Sequence, residues 1–159
     1  MTRFRFREFG RAFVPISIKP QNDIVMIPID FKVDTGSDVT TISKESLADL
    51  GYDMDWINQS AVIFRGGNKP INASGDKVNA GYICLSLINI LGYEAKNWPF
   101  QIVIDEKQDF RNLLGRDLLT GFDYCFDNSK DLFTIDRAKA FRPRYPFLPN
   151  QEINEMISI

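Results

Sequence analysis

"FKVDTGSDVTTIS", residues 31–43, closes an apolar run with an acid, a hydroxyl and a glycine in succession. One reading is local: Asp-Thr-Gly-Ser after a strand is a turn, in which Asp34 bonds the backbone ahead of it and Gly36 takes a positive φ. The other reading is chemical and gives each residue a separate task. An Asp at the mouth of a strand projects its carboxylate beyond the sheet edge. Gly36, without a Cβ, lets another backbone come close enough to offer N–H groups to that carboxylate. Thr35 can direct its hydroxyl to a facing loop, and Ser37 can donate to the outer carboxylate oxygen. The Asp-Lys-Thr-Gly signature of aspartyl-phosphate chemistry does not occur in the chain.

Composition narrows the chemistry further. The 159 residues are 44% hydrophobic and 25% charged, which suits one globular domain with a substantial core. A formal net charge of −2 gives no pull toward nucleic acid or anionic membranes. The chain has no histidine, which excludes Ser-His-Asp and Cys-His hydrolases and the usual catalytic zinc sites. Carboxylates, hydroxyls, lysine and cysteine are left to carry any reaction. The opening "MTRFRFREFGRAF" is rich in arginine and lacks the apolar core of a signal peptide, and no later stretch is long enough to span a bilayer. A cytoplasmic location follows as the expectation. With it go reduced, core-located Cys84 and Cys125 rather than a disulfide, and chance matches to the glycosylation sequon at Asn58 and Asn72.

Along the chain the dominant period is two. "AFVPISI" (12–18) and "IVMIPIDFKV" (24–33) predict a pair of strands across the turn-forming residues 19–23. "SKESLADLG" (43–51) predicts a short helix with Ser43 as its cap, Ser46 where a capping-box Glu would stand, and Gly51 as its stop. "AVIFRGGNKP", "KVNAGYICLSLINI" and "NWPFQIVID" read as further strands. "FDYCFDNSKDLFTID" reads as a hairpin turning at Asn128-Ser129-Lys130. "RFRFR" at the N-terminus suits a strand with a packed aromatic face and a wet arginine face better than a phosphate contact. Trp56 and Trp98 are expected in the core or at a dimer contact.

A second motif lies in "NLLGRDLLTGFDY" (112–124). Taken alone, Leu-Leu-Gly-Arg-Asp-Leu-Leu could be a helix with an awkward glycine. An apolar-apolar-Asp-Thr-Gly followed by this motif resembles the retropepsin-like aspartic peptidases, viral and bacterial. The similarity covers roughly residues 11–136. It implies an all-β, closed-barrel fold with one or two short helices and a flap hairpin. It also implies that Asp34 of Asp34-Thr35-Gly36 is catalytic, with Leu113, Leu114 and Gly115 packed beneath the active-site loop. Arg116 is then well placed to pair with Asp38 and tie the two motifs together. For the flap tip the candidates are Gly66 and Gly67 of "FRGGN" (64–68), with "ASGD" (73–76) competing. The domain organisation expected is an arginine-rich arm over 1–10, the peptidase-like domain over 11–139 and a tail over 140–159.

Only one Asp-Thr-Gly occurs, and peptide hydrolysis by paired carboxylates needs two. A twofold homodimer would supply them by setting Asp34 of each copy side by side at its axis. The expectation is therefore an aspartic endopeptidase acting on peptide or protein substrates as a homodimer, with no metal or organic cofactor. The alternative from another class is a peptide-binding or dimerisation module that keeps the fold without cleaving; an activating partner or a blocking terminal segment is a further possibility. "DEKQD" (105–109) is read as a solvated turn rather than a cation site. Phe141, Tyr145 and Phe147 are read as packing against the barrel.

Overall fold

A computed structural model of the chain describes residues 1–60, 62–63, 80–103 and 111–137. The arginine-aromatic alternation at the N-terminus becomes strand β1, Thr2–Arg5, with Phe4 and Phe6 partly buried on the core and Arg3 and Arg5 exposed. A 3-10 turn, Glu8–Gly10, leads into β2, Phe13–Ile18, where Val14, Ile16 and Ile18 are buried and the intervening residues are not. β3, Ile27–Val33, pairs antiparallel with β2 from Phe13↔Lys32 to Ile18↔Ile27. It starts later than the apolar run at residue 24 suggests. The Asp23 carboxylate accepts the N–H groups of Ile24 (2.7 Å) and Val25 (3.2 Å), which turns those residues out of the ladder and leaves both exposed.

Helix α1, Lys44–Asp49, is capped as its sequence predicts: the Ser43 hydroxyl accepts the Ser46 N–H, and Gly51 ends the turn at φ +85°. α2, Met54–Ser60, follows at once, with the Asp53 carboxylate accepting the Trp56 N–H at 2.8 Å. The remaining elements are β4 (Val62–Ile63), β5 (Ala80–Ile90), β6 (Tyr93–Val103), β7 (Leu113–Leu114), α3 (Arg116–Leu119), β8 (Phe122–Asp127) and β9 (Leu132–Arg137). Among the described residues no helix is long and apolar enough to cross a membrane.

The larger sheet runs β4-β5-β2-β3-β7, with β6 paired to β5. Residues 40–42 bridge its two ends. Gln101 N–H donates to Thr40 O (2.9 Å) and Ile42 N–H to Gln101 O (3.0 Å) on the β6 side, while Thr41 and Leu113 exchange both backbone bonds at 2.9 Å on the β7 side. The pairings thus return on themselves, β2 to β3 to β7 to residues 40–42 to β6 to β5 and back to β2, which is the closed barrel expected. β1, β9 and β8 form a second sheet in that order. Its inner residues Phe133 and Ile135 join Val14, Ile16, Phe31, Trp98 and Phe100 in one buried cluster, so the two sheets share a core. The β8–β9 hairpin turns where the sequence places it.

Asn112 clips α1 to this ring. Its side-chain carbonyl accepts the Ser43 N–H at 2.8 Å, and its amide donates to the Ser46 hydroxyl at 2.8 Å. Asn112→Ala leaves a partly buried N–H without its acceptor and should cost about 1–3 kcal/mol. Urea unfolding should show a lower midpoint at unchanged slope.

Candidate active site

Two backbone bonds fix where the chain leaves β3. Val33 N–H donates to Ala12 O (2.9 Å), and Asp34 N–H donates to Leu114 O (3.0 Å). The chain then turns, closed by Ser37 N–H on Asp34 O at 3.1 Å, and the Asp34 carboxylate accepts the Gly36 N–H at 3.1 Å. Asp34 is half-buried, whereas Thr35 and Gly36 are exposed. Gly36 does not have the positive φ that a turn glycine would explain; among the described residues the glycines in that region are Gly10, Gly51 and Gly92. Among the described residues a Cβ on Gly36 would meet only the Asp34 carboxylate, at 3.4 Å. Among the described residues neither conformation nor crowding accounts for a glycine here.

The Ser37 hydroxyl corrects an expectation. It donates to Val39 O at 2.8 Å rather than to Asp34, because the turn carries Ser37 past the carboxylate and aims its side chain along the following segment. A hydroxyl has one proton to give. Ser37 therefore shapes the loop and does not hold the carboxylate.

The second motif lies directly beneath. Leu114 is fully buried, and Gly115 sits so near the first motif that a Cβ there would lie 2.4 Å from both the carbonyl carbon and oxygen of Val39 and 2.9 Å from Thr40 N. All three atoms are backbone and cannot swing aside. Gly115 N–H donates to the Thr40 hydroxyl (3.1 Å), Arg116 N–H to Ser37 O (2.9 Å) and Asp117 N–H to Asp38 O (3.1 Å). The Arg116 guanidinium pairs with the Asp38 carboxylate, as the spacing suggests.

Sequence reasoning missed the polar centre of this junction. Thr40 and Asp117 are both buried, and the Thr40 hydroxyl donates to the Asp117 carboxylate at 2.7 Å, as does Leu118 N–H at 2.8 Å. Burial pushes the Asp117 carboxyl up to about 6, against the opposing pull of Thr40, the Leu118 N–H and the Trp98 indole. Tyr82 is raised in turn, by burial first and then by the Asp117 charge. The available signal was an acid and a hydroxyl set inside the apolar runs "RDLL" and "VTTI".

Other candidates fall away from this centre. Burial pushes the half-buried Cys84 thiol up to about 11, so it is no thiolate at neutral pH. Cys125 is free but exposed on β8, not in the core: it alternates with Tyr124 and Phe126, which are themselves exposed though their rings contact Phe133. Trp98 is core, and Trp56 packs against Tyr52 with tilted rings, centroids 4.5 Å apart. Gly66, Gly67, the competing turn at 73–76, "DEKQD" and the aromatic residues after 140 lie outside the described residues.

The architecture is that of retropepsin-like aspartic proteases. A retropepsin-like aspartic protease from Rickettsia conorii superposes with a TM-score of 0.58 at 24% identity, over 84% of this chain and 96% of that one. The retroviral protease-like domain of Ddi1 from Leishmania major superposes with a TM-score of 0.50 at 20% identity, over 79% and 88%. No family model and no curated protein sequence matches the chain. At these identities the likeness defines the fold.

Two measurements test the junction. The Arg116 side chain is 55% exposed and that of Asp38 34%, so a double-mutant cycle with Arg116→Ala and Asp38→Ala, read from thermal melts, should give a coupling under about 1 kcal/mol. Asp117 should carry a larger and pH-dependent effect. Its folded-state pKa is raised from 3.8 to about 6, so the folded chain binds the proton more tightly than the unfolded one. The resulting stabilisation is complete below about pH 4 and lost as pH rises through 6, on the order of 3 kcal/mol in all. Urea unfolding across pH 3.5–7.5 should show this decline relative to Asp117→Asn, which cannot titrate.

Proposed function

We propose that the chain is an aspartic endopeptidase that works as a homodimer. The observation that carries the proposal is Gly36. It stands beside a half-buried carboxylate on an exposed loop, yet among the described residues nothing in conformation or packing requires a glycine there. A second backbone closing on Asp34 from outside supplies the missing reason. The chain holds a single Asp-Thr-Gly, so a second copy related by a twofold axis is the source that also provides the second carboxylate.

In this proposal the two Asp34 carboxyls share one proton, since two that close do not both ionise readily. The ionised member takes a proton from a water molecule as its oxygen adds to the peptide carbonyl carbon. The protonated member gives its proton to the carbonyl oxygen. Collapse of the tetrahedral adduct breaks the C–N bond and returns a proton to the amine, leaving a carboxylic acid and an amine product. Thr35 and Gly36 form the loop that faces its copy. Ser37, Asp38, Leu114, Gly115 and Arg116 hold that loop from beneath, and Gly66 and Gly67 are assigned to the flap. No metal or organic cofactor takes part.

Asp34→Asn preserves side-chain volume while removing the acid. It should lower kcat/KM for cleavage of an unfolded protein substrate such as casein by more than about a hundredfold, with dimer and melting temperature retained. Full activity in the purified variant would sink the assignment, and a wild-type dimer that never cleaves would favour the binding module.

A further inference from the structure

The turn between β1 and β2 carries a side chain that its own chain does not bury. Phe9 is 92% exposed and has φ +61°, a left-handed conformation that bulky side chains avoid. The turn is imposed from its base. Arg7 N–H donates to Arg11 O (2.8 Å), Arg11 Nε donates to Glu8 O (3.0 Å), and Gly10 follows Phe9 in the same left-handed region at φ +67°. Arg7 is held by Asp30 at 2.6 Å, with its guanidinium 4.3 Å from the Phe13 ring centroid. The Arg11 guanidinium lies over the Phe9 ring, 5.6 Å from its centroid. Beyond this contact, a strained, outward aromatic on a pinned turn buries almost none of its surface in the isolated chain.

Its location supplies a use. Beyond Phe13↔Lys32 the next backbone contact is Val33 N–H on Ala12 O, so the turn and the Asp34 loop leave the barrel at the same end. We propose that Phe9 anchors the interface between two copies of this chain. The inference rests on the homodimer reading above. A twofold contact through residues 34–37 brings a second copy to this end of the barrel. Stable interfaces of this kind draw most of their binding energy from a few desolvated anchors in which aromatic side chains are prominent. Strain at the turn then fixes the direction of the ring before association, so little freedom is lost on docking.

The test uses the full chain and two substitutions that suit a positive φ. Phe9→Asn keeps a residue that tolerates the left-handed region, and Phe9→Gly removes the strain together with the ring. Sedimentation equilibrium should give dimer dissociation constants raised at least about tenfold in both. Melting of the dilute monomer should be unchanged or higher, and Phe9→Tyr should stay near wild type. An unchanged dissociation constant in both variants of a dimeric, active protein overturns this proposal alone. A raised KM at unchanged dissociation constant also overturns it, by assigning the ring to substrate. A wild-type chain that is monomeric at every concentration overturns the homodimer on which it rests.

Discussion

The close approach of Gly115 to the Val39–Thr40 backbone is the constraint on which the site depends. With a Cβ at 115 placed 2.4 Å from two backbone atoms, no side chain fits without parting the two segments. Only at that separation do Leu114 O, Gly115 N–H and Arg116 N–H each find a partner on the Asp34–Thr40 segment. The loop is therefore held largely through its main chain, with Asp34 half-buried and Thr35 and Gly36 exposed above the junction. In the proposed reaction a carboxylate on a loop fixed in this way needs little rearrangement when charge develops beside it.

The cost of that junction is concentrated in Asp117. A carboxylate 3% exposed is unfavourable when ionised, and its bonds from Thr40 and Leu118 only partly offset the lost hydration. Its place at the junction explains why it is tolerated. The Thr40 hydroxyl donates to Asp117 and so presents its lone pair to the Gly115 N–H, which orders donors and acceptors across the two motifs. A protonated Asp117 lifts the charge penalty in acid.

The elements legible in the sequence were those set by local chemistry. The period of two in β2, the Ser43 cap with Gly51, and the hairpin turning at 128–130 each follow from neighbouring residues and stand where the pattern puts them. The two motifs and the Asp38–Arg116 pair were legible because their order and spacing restrict what can meet. What escaped was set by partners distant along the chain. Ser37 chose Val39 O over Asp34, the exposure of Ile24 and Val25 came from an Asx turn, and the Thr40–Asp117 bond joins residues that no local pattern associates. Ring closure through residues 40–42 is of the same kind, since a three-residue bridge between β6 and β7 has no periodicity to announce it.

Satisfaction of the loop is strongly one-sided. From Ser37 onward the loop is tied to the second motif: Ser37 O takes Arg116 N–H, Asp38 takes the Arg116 guanidinium and Thr40 takes Asp117. Residues 35 and 36, immediately before, are exposed, and Phe9 stands exposed at the same end of the barrel. A sequence under no further demand would replace such a glycine and such a phenylalanine with residues better suited to water and to ordinary backbone angles, gaining stability. Their presence together at one end of the barrel fits the proposed surface completed by a second chain.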